Sequence, residues 1–326
     1  MNARRKFAFL ALCFAALFAA YCRAEEPQKD AAEPKPEPEF LRVTSDEGGG
    51  LLALETAIVS YVPADGKHEG LVVDLIGAVH VGEKSYYEKL NEAFKQYESL
   101  LYELVAAKGD VPRPGAKRGG EISGGGAIMG LQSGMKSMLE LDHQLEVVDY
   151  KAKNFVHADM SPEEFNRSMK DRDESFLKMF FRMMGQGMAM QAANADAPTD
   201  RDVLAAMFAK NRALELKRLL ARQFENAGSQ LAALEGPDGS TLITERNKKA
   251  LEVLQREIDS GKKRIGIFYG AGHLADMERR LADDFGLKRD REQWIEAWNL
   301  RAKDGDETKK PKGKSALEAI FDALSK

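Results

Sequence analysis

Two short stretches of this 326-residue chain combine residue types that can do metal chemistry. Gly77-Ala78-Val79-His80 and Gly270-Ala271-Gly272-His273 each place a histidine three residues after a glycine. Each follows an apolar run with strand character, residues 71–79 and 264–270, and precedes a stretch with helical spacing. In open α/β sheets, ligand-binding groups gather at the carboxyl ends of strands. Glycine permits a tight turn and a close backbone approach there, and the histidine projects from a fixed corner. Two imidazoles so presented could share one divalent metal ion, with a carboxylate and a water completing the shell. The plainer alternative is that each histidine hydrogen-bonds the backbone at a helix start.

Several other residues join this pair as candidates. Glu103 lies in LLYELV, residues 100–105, an apolar run short enough for a buried strand. A carboxylate there is costly unless it is paired or metal-bound, so Glu103 is a third ligand, a general base or the partner of an arginine. Glu245-Arg246-Asn247 opens a helical stretch. Glu245 is the second candidate base, although acids in a first turn are also common for dipole reasons alone. Arg246 could steady an oxyanion, clamp a substrate carboxylate, or hold Glu103 or Glu245 in place. His157 and Asp159, in NFVHADMS, and Asn247 could orient the ligands or add to them. His68 and His143 read as solvated, in a polar turn and on a helix. No GxSxG elbow, HExxH helix or P-loop is present, so serine hydrolase, zincin and nucleotide hydrolase readings lose their usual support.

The elements that must position these residues follow a recognisable order. Residues 71–79, 85–100 and 100–105 read as strand, helix and strand, a βαβ unit that would put Glu103 beside the first corner. Residues 51–63 read as one strand or two. Ser161-Pro162-Glu163-Glu164 has the capping serine, first-turn proline and acids of a helix start. Helices are expected over 162–190, 199–226, 244–259 and 273–285, and residues 291–300 complete the domain. Gly-rich residues 108–134 and Met-rich residues 176–190 belong to a helical insertion over about residues 119–226. The fold expected is α/β: a mixed, mostly parallel central sheet flanked by helices, with that Gly/Met-rich insertion. Its helices could touch a membrane peripherally, or their methionines could fill core gaps.

Composition limits the functional classes. The chain is 44% hydrophobic and 31% charged, with 48 basic against 52 acidic residues, which leaves no basic excess for nucleic acid. Residues 1–24 have the basic start, apolar run and small-residue end of a signal peptide, with cleavage expected after Ala24. Lipidation at Cys22 and a retained N-terminal anchor are the alternatives. Both cysteines, Cys13 and Cys22, lie in this segment, so a processed chain would have no disulfide, thiolate metal site or cysteine nucleophile. Export to a periplasm, cell envelope or extracellular space is expected. Residues 25–39 read as a Pro/Glu-rich disordered linker, residues 40–300 as the domain, and residues 301–326 as a charged tail with a short amphipathic helix.

IGAVHVG, LLYELV, LITERNKKAL and IGIFYGAGHL occur in that order, and together they resemble the TraB/PrgY/GumN–Tiki superfamily, related to the ChaN and erythromycin-esterase-like folds. The family's paired GX2H motifs match Gly77–His80 and Gly270–His273, its acidic position matches Glu103, and its Arg-containing helix start matches Glu245-Arg246-Asn247. For Tiki-like members the resemblance implies metal-dependent peptidase activity with Mn, Co or Zn, acting on a peptide or protein. The Gly-rich and Met-rich insertions depart from the animal members. The reading that follows is an exported metal-dependent hydrolase, with His80, His273 and Glu103 as metal ligands and Glu103, Glu245 and Arg246 in catalysis. The alternative is a non-catalytic peptide- or haem-binding protein using the same cleft.

Overall fold

A computed structural model describes residues 39–66, 68–107, 109, 136–175, 178, 200–224 and 239–302. The expected signal peptide and nearly all of the linker and tail lie outside the described residues, as do residues 110–135 and 179–199 of the insertion. No described helix is long and apolar enough to cross a membrane.

The core is a mixed seven-stranded sheet. β3 (Val72–Ala78), β8 (Arg264–Gly270), β5 (Ser99–Tyr102) and β7 (Phe155–His157) lie side by side in that order and run parallel. β2 (Leu51–Pro63) pairs antiparallel with β1 (Leu41–Ser45), β3 and the 13-residue β9 (Leu287–Asn299). β9 takes one edge of β2 from residue 53 to residue 63, so β1 and β3 share the other edge, end to end. A separate two-stranded ribbon pairs β4 (Val81–Gly82) with β6 (Asp142–His143).

Alternation along the strands explains the layers. On β8, Ile265, Ile267 and Tyr269 face one core and Phe268 the other; on β5, Leu101 opposes Leu100 and Tyr102. One face packs against α1 (Lys84–Phe94) through Tyr86, Tyr87, Leu90 and Phe94. The opposite face packs against α6 (Arg246–Asp259) and α7 (Leu274–Asp283). Strands covered on both faces must be apolar almost throughout, which is why residues 71–79 and 264–270 read as continuous runs.

Between β7 and β8 the chain forms α3 (Pro162–Asp171), α4 (Asp200–Met207) and α5 (Arg212–Phe224); α2 (Gln144–Val147) is a single turn after β6. Ser161 caps α3 in a complete capping box with Glu164, with Pro162 in the first turn. The sheet order departs from a simple βαβ neighbourhood: β8 inserts between β3 and β5, so Glu103 adjoins the second glycine corner rather than the first.

Candidate functional site

All four parallel strands end at the same edge of the sheet. Gly77 closes the first corner because a Cβ there would lie 3.2 Å from the Ala57 carbonyl oxygen and 3.3 Å from that of Phe40. The chain that precedes β1 therefore reaches the end of β3 only over a glycine. At the second corner the Gly270 N–H donates to Glu103 Oε2 at 2.7 Å, and a Cβ would sit 3.3 Å from the same oxygen. The glycines of the two motifs fit the strand ends together, and the histidines follow from them.

Arg246 is the hub of the cluster. It enters from a π-helical turn, Thr241–Glu245, capped by the Ser240 side chain on Ile243 N–H at 3.2 Å. Its Nε donates to Asp159 Oδ1 at 3.0 Å and its Nη2 to Asp159 Oδ2 at 2.6 Å, a bidentate pair. Nη2 also donates to Glu103 Oε1 at 2.7 Å. Nη1 has only long contacts, 3.4 Å to the Leu242 carbonyl oxygen and 3.5 Å to His273 Nε2. Burial alone would raise the Glu103 pKa, but Arg246 and the neighbouring histidines outweigh it and hold the carboxyl well below the usual carboxylate range. Two carboxyl groups thus share one guanidinium, leaving one formal negative charge in excess.

His273 is locked by Asn247. The Asn247 amide nitrogen donates to the His273 carbonyl oxygen at 3.0 Å and to Asp276 Oδ2 at 2.9 Å. Its Oδ1 is then the acceptor that faces His273 Nδ1 at 2.7 Å, so Nδ1 carries the proton and Nε2 keeps its lone pair. Burial pushes the His273 pKa down to about 4, so the ring is neutral at pH 7. Nε2 lies 3.6 Å from Glu103 Oε1, two acceptors side by side: Arg246 Nη2 donates to Oε1 at 2.7 Å, and Nη1 lies 3.5 Å from Nε2.

The predicted residues separate into three groups. Glu103, Asp159, Arg246, Asn247 and His273 form the buried cluster; Asp159 and Asn247 touch its members directly. His80 is exposed, and its ring lies near enough to influence both Glu103 and His273 electrostatically. Glu245 and His157 bond elsewhere. Glu245 pairs with Lys248 at 2.9 Å and Arg172 at 3.4 Å, and His157 Nε2 donates to the Leu104 carbonyl oxygen at 2.7 Å. His143, read from the sequence as a solvated helical residue, lies instead on β6 opposite Val81, where its Nδ1 accepts from Leu145 N–H at 3.1 Å. Burial first, and the neighbouring His80 ring second, hold the His143 pKa below its ordinary value. No spacing in the sequence ties His143 to His80; only the β4–β6 pairing does.

The fit to a metal ion is partial. The 3.6 Å between Nε2 and Oε1 is close to the spacing of two ligands on one tetrahedral ion, about 3.4 Å for bonds of about 2.1 Å. Among the described residues, however, no group of three His, Cys, Asp or Glu side chains converges as a metal site. Two donors are in place, and His80 stands at the rim. Comparison with protein-family models, curated proteins and solved structures finds no match.

Proposed function

We propose that the chain is an exported metal-dependent hydrolase acting on peptides. The observation that carries this reading is the side-by-side pair of acceptors, His273 Nε2 and Glu103 Oε1, in a cluster with one negative charge in excess. A divalent cation would give His273 Nε2 a close partner, share Glu103 Oε1 with Arg246, and offset the charge. His273, Glu103 and His80 would hold it, and Mn, Co and Zn all suit imidazole with carboxylate. When bound, such an ion lowers the pKa of its water and polarises a scissile carbonyl.

The chain's own groups divide the remaining work. Glu103 binds protons too weakly to serve as a general base near neutrality, which suits it to a ligand role instead. Asn247 fixes the His273 ring so that Nε2 presents its lone pair to the site. Arg246 Nη1, with only long contacts, is the donor left to face an oxyanion. Glu245, engaged with Lys248 and Arg172, has no part in this scheme.

The test is cleavage of a defined peptide mixture by purified protein with Mn, Co or Zn added, with and without chelator. The proposal expects cleavage that chelation abolishes and that His80→Ala and His273→Ala each remove. Cleavage that survives both substitutions would overturn it. A second reading, a binding protein without turnover, is favoured by the saturation of Glu103, whose two oxygens already accept from Arg246 and Gly270. It predicts peptide or haem binding with no cleavage under any metal.

A further inference from the structure

β7 is the edge strand of the sheet, and its outer side has no partner strand among the described residues. Asn154 and Ala158 turn their carbonyl and amide toward β5, accepting from Leu100 N–H at 2.7 Å and donating to the Tyr102 carbonyl at 3.3 Å. The alternation of a strand therefore turns the backbone of Phe155 and His157 outward. The Phe155 N–H is used by the Ala152 carbonyl, but the Phe155 carbonyl and both backbone groups of His157 have no partner among the described residues. Beside this edge runs a cavity of about 1070 Å³ between β7, α3 and α6. Tyr102, Tyr150 and Phe155 pack ring against ring along it, Tyr150 edge-on to the other two.

The charge of the cavity wall is not neutral in effect. Glu164 is engaged with Lys249 and the α3 capping box, and Glu163 accepts from the Ser161 hydroxyl. Lys151, Arg167 and Arg256 also line the cavity, and their side chains have no hydrogen-bond or ion-pair partner among the described residues. Glu163 keeps its charge, so three unpaired cations stand against one unpaired carboxylate and the wall is net positive.

We infer that an extended, acidic peptide segment binds here by adding a strand to the outer edge of β7, its backbone pairing with Phe155 and His157 and its acids with Lys151, Arg167 and Arg256. An exposed edge with unpaired N–H and C=O groups is the template such addition needs. A strand added here would lie beside Asp159, at the same end of the sheet as Glu103 and His273. This inference names the substrate class and docking mode of the proposed hydrolase, and so rests on that reading for its purpose.

The experiment exposes immobilised, chelator-treated full-length chain to a mixture of random dodecapeptides and sequences those retained. Expected are peptides depleted in proline and enriched in Asp and Glu, with the acidic preference lost in the Lys151→Glu/Arg167→Glu/Arg256→Glu chain. His157→Pro, which deletes the outward N–H, should retain them about fivefold more weakly than His157→Ala, the loss of one backbone hydrogen bond. Should the proline variant fail to fold, a retained peptide N-methylated at alternate residues takes its place: one methylation parity abolishes binding and the other spares it. Prolines at their input frequency, an acidic preference that survives charge reversal, indifference to methylation parity, or no retention at all would overturn the inference. Metal-dependent cleavage without this selection leaves the hydrolase standing and removes the β7 edge. Selective retention without cleavage under any metal does the reverse.

Discussion

Arg246 carries more of the cluster than either histidine. It sits between buried Asp159 and part-buried Glu103, and removing it leaves two carboxylates without a counter-charge. Arg246→Met should therefore cost about 3–5 kcal/mol of stability, read by denaturant unfolding. Arg246→Lys keeps the charge but loses the bidentate geometry, and should fall between the two. Asn247 tests a different quality of the site. Asn247→Leu removes the acceptor that fixes the His273 tautomer, and metal affinity or cleavage should drop about 10–100-fold. An unchanged value would show that His273 orients without it. At this scale the sequence is informative about identity and about one partnership, Arg246 with Glu103, but not about the other. The cost of burying Glu103 pointed to an arginine or a metal, yet the pairing of Arg246 with Asp159 joins positions with no shared motif.

The glycine corners and the π turn are the elements that aim these side chains. Gly77→Val would press two methyls against the Ala57 and Phe40 carbonyls, both backbone and unable to move aside. A loss of about 1–3 kcal/mol is expected, measured by thermal or denaturant unfolding. Ser240→Ala removes the cap on the turn that delivers Arg246 and should cost about 0.5–2 kcal/mol, with cleavage falling further than stability alone explains. Equal melting of variant and parent would show that the turn holds itself. Helix starts and central strands were legible: Ser161 with Glu164 marks α3, and the apolar run 264–270 is β8. The π turn was not, because the helical spacing begins only at Thr244 and nothing in TLITE marks a wider turn.

At the scale of the whole molecule, acid should destabilise this protein through two groups in turn. The His273 pKa falls from 6.5 unfolded to about 4 folded, so the unfolded chain takes up its proton first as pH drops. Stability is lost between those two values, by about 3 kcal/mol. The Glu103 contribution is present above its unfolded value of 4.5 and disappears as pH falls below it. In chelator-treated protein the melting temperature should begin to fall below pH 6.5, and His273→Gln should flatten the first part of that fall. An identical profile in the variant would mean another group titrates there. The α/β class and the position of the site at the strand ends could be read from two apolar runs and their glycines. The order of strands could not: β8 enters between β3 and β5 from far along the chain, and β9 joins β2 through polar, mostly exposed residues such as Lys288-Arg289-Asp290-Arg291-Glu292. Their alternation is hidden by a half-solvated face.

The most direct measurement is titration of metal-free protein with cobalt(II), followed by the visible absorption of the bound ion. One equivalent should bind with the spectrum of nitrogen–oxygen ligation, and His273→Ala should abolish it while His80→Ala weakens it. An unchanged stoichiometry and spectrum in His273→Ala would contradict the metal centre proposed between His273 and Glu103.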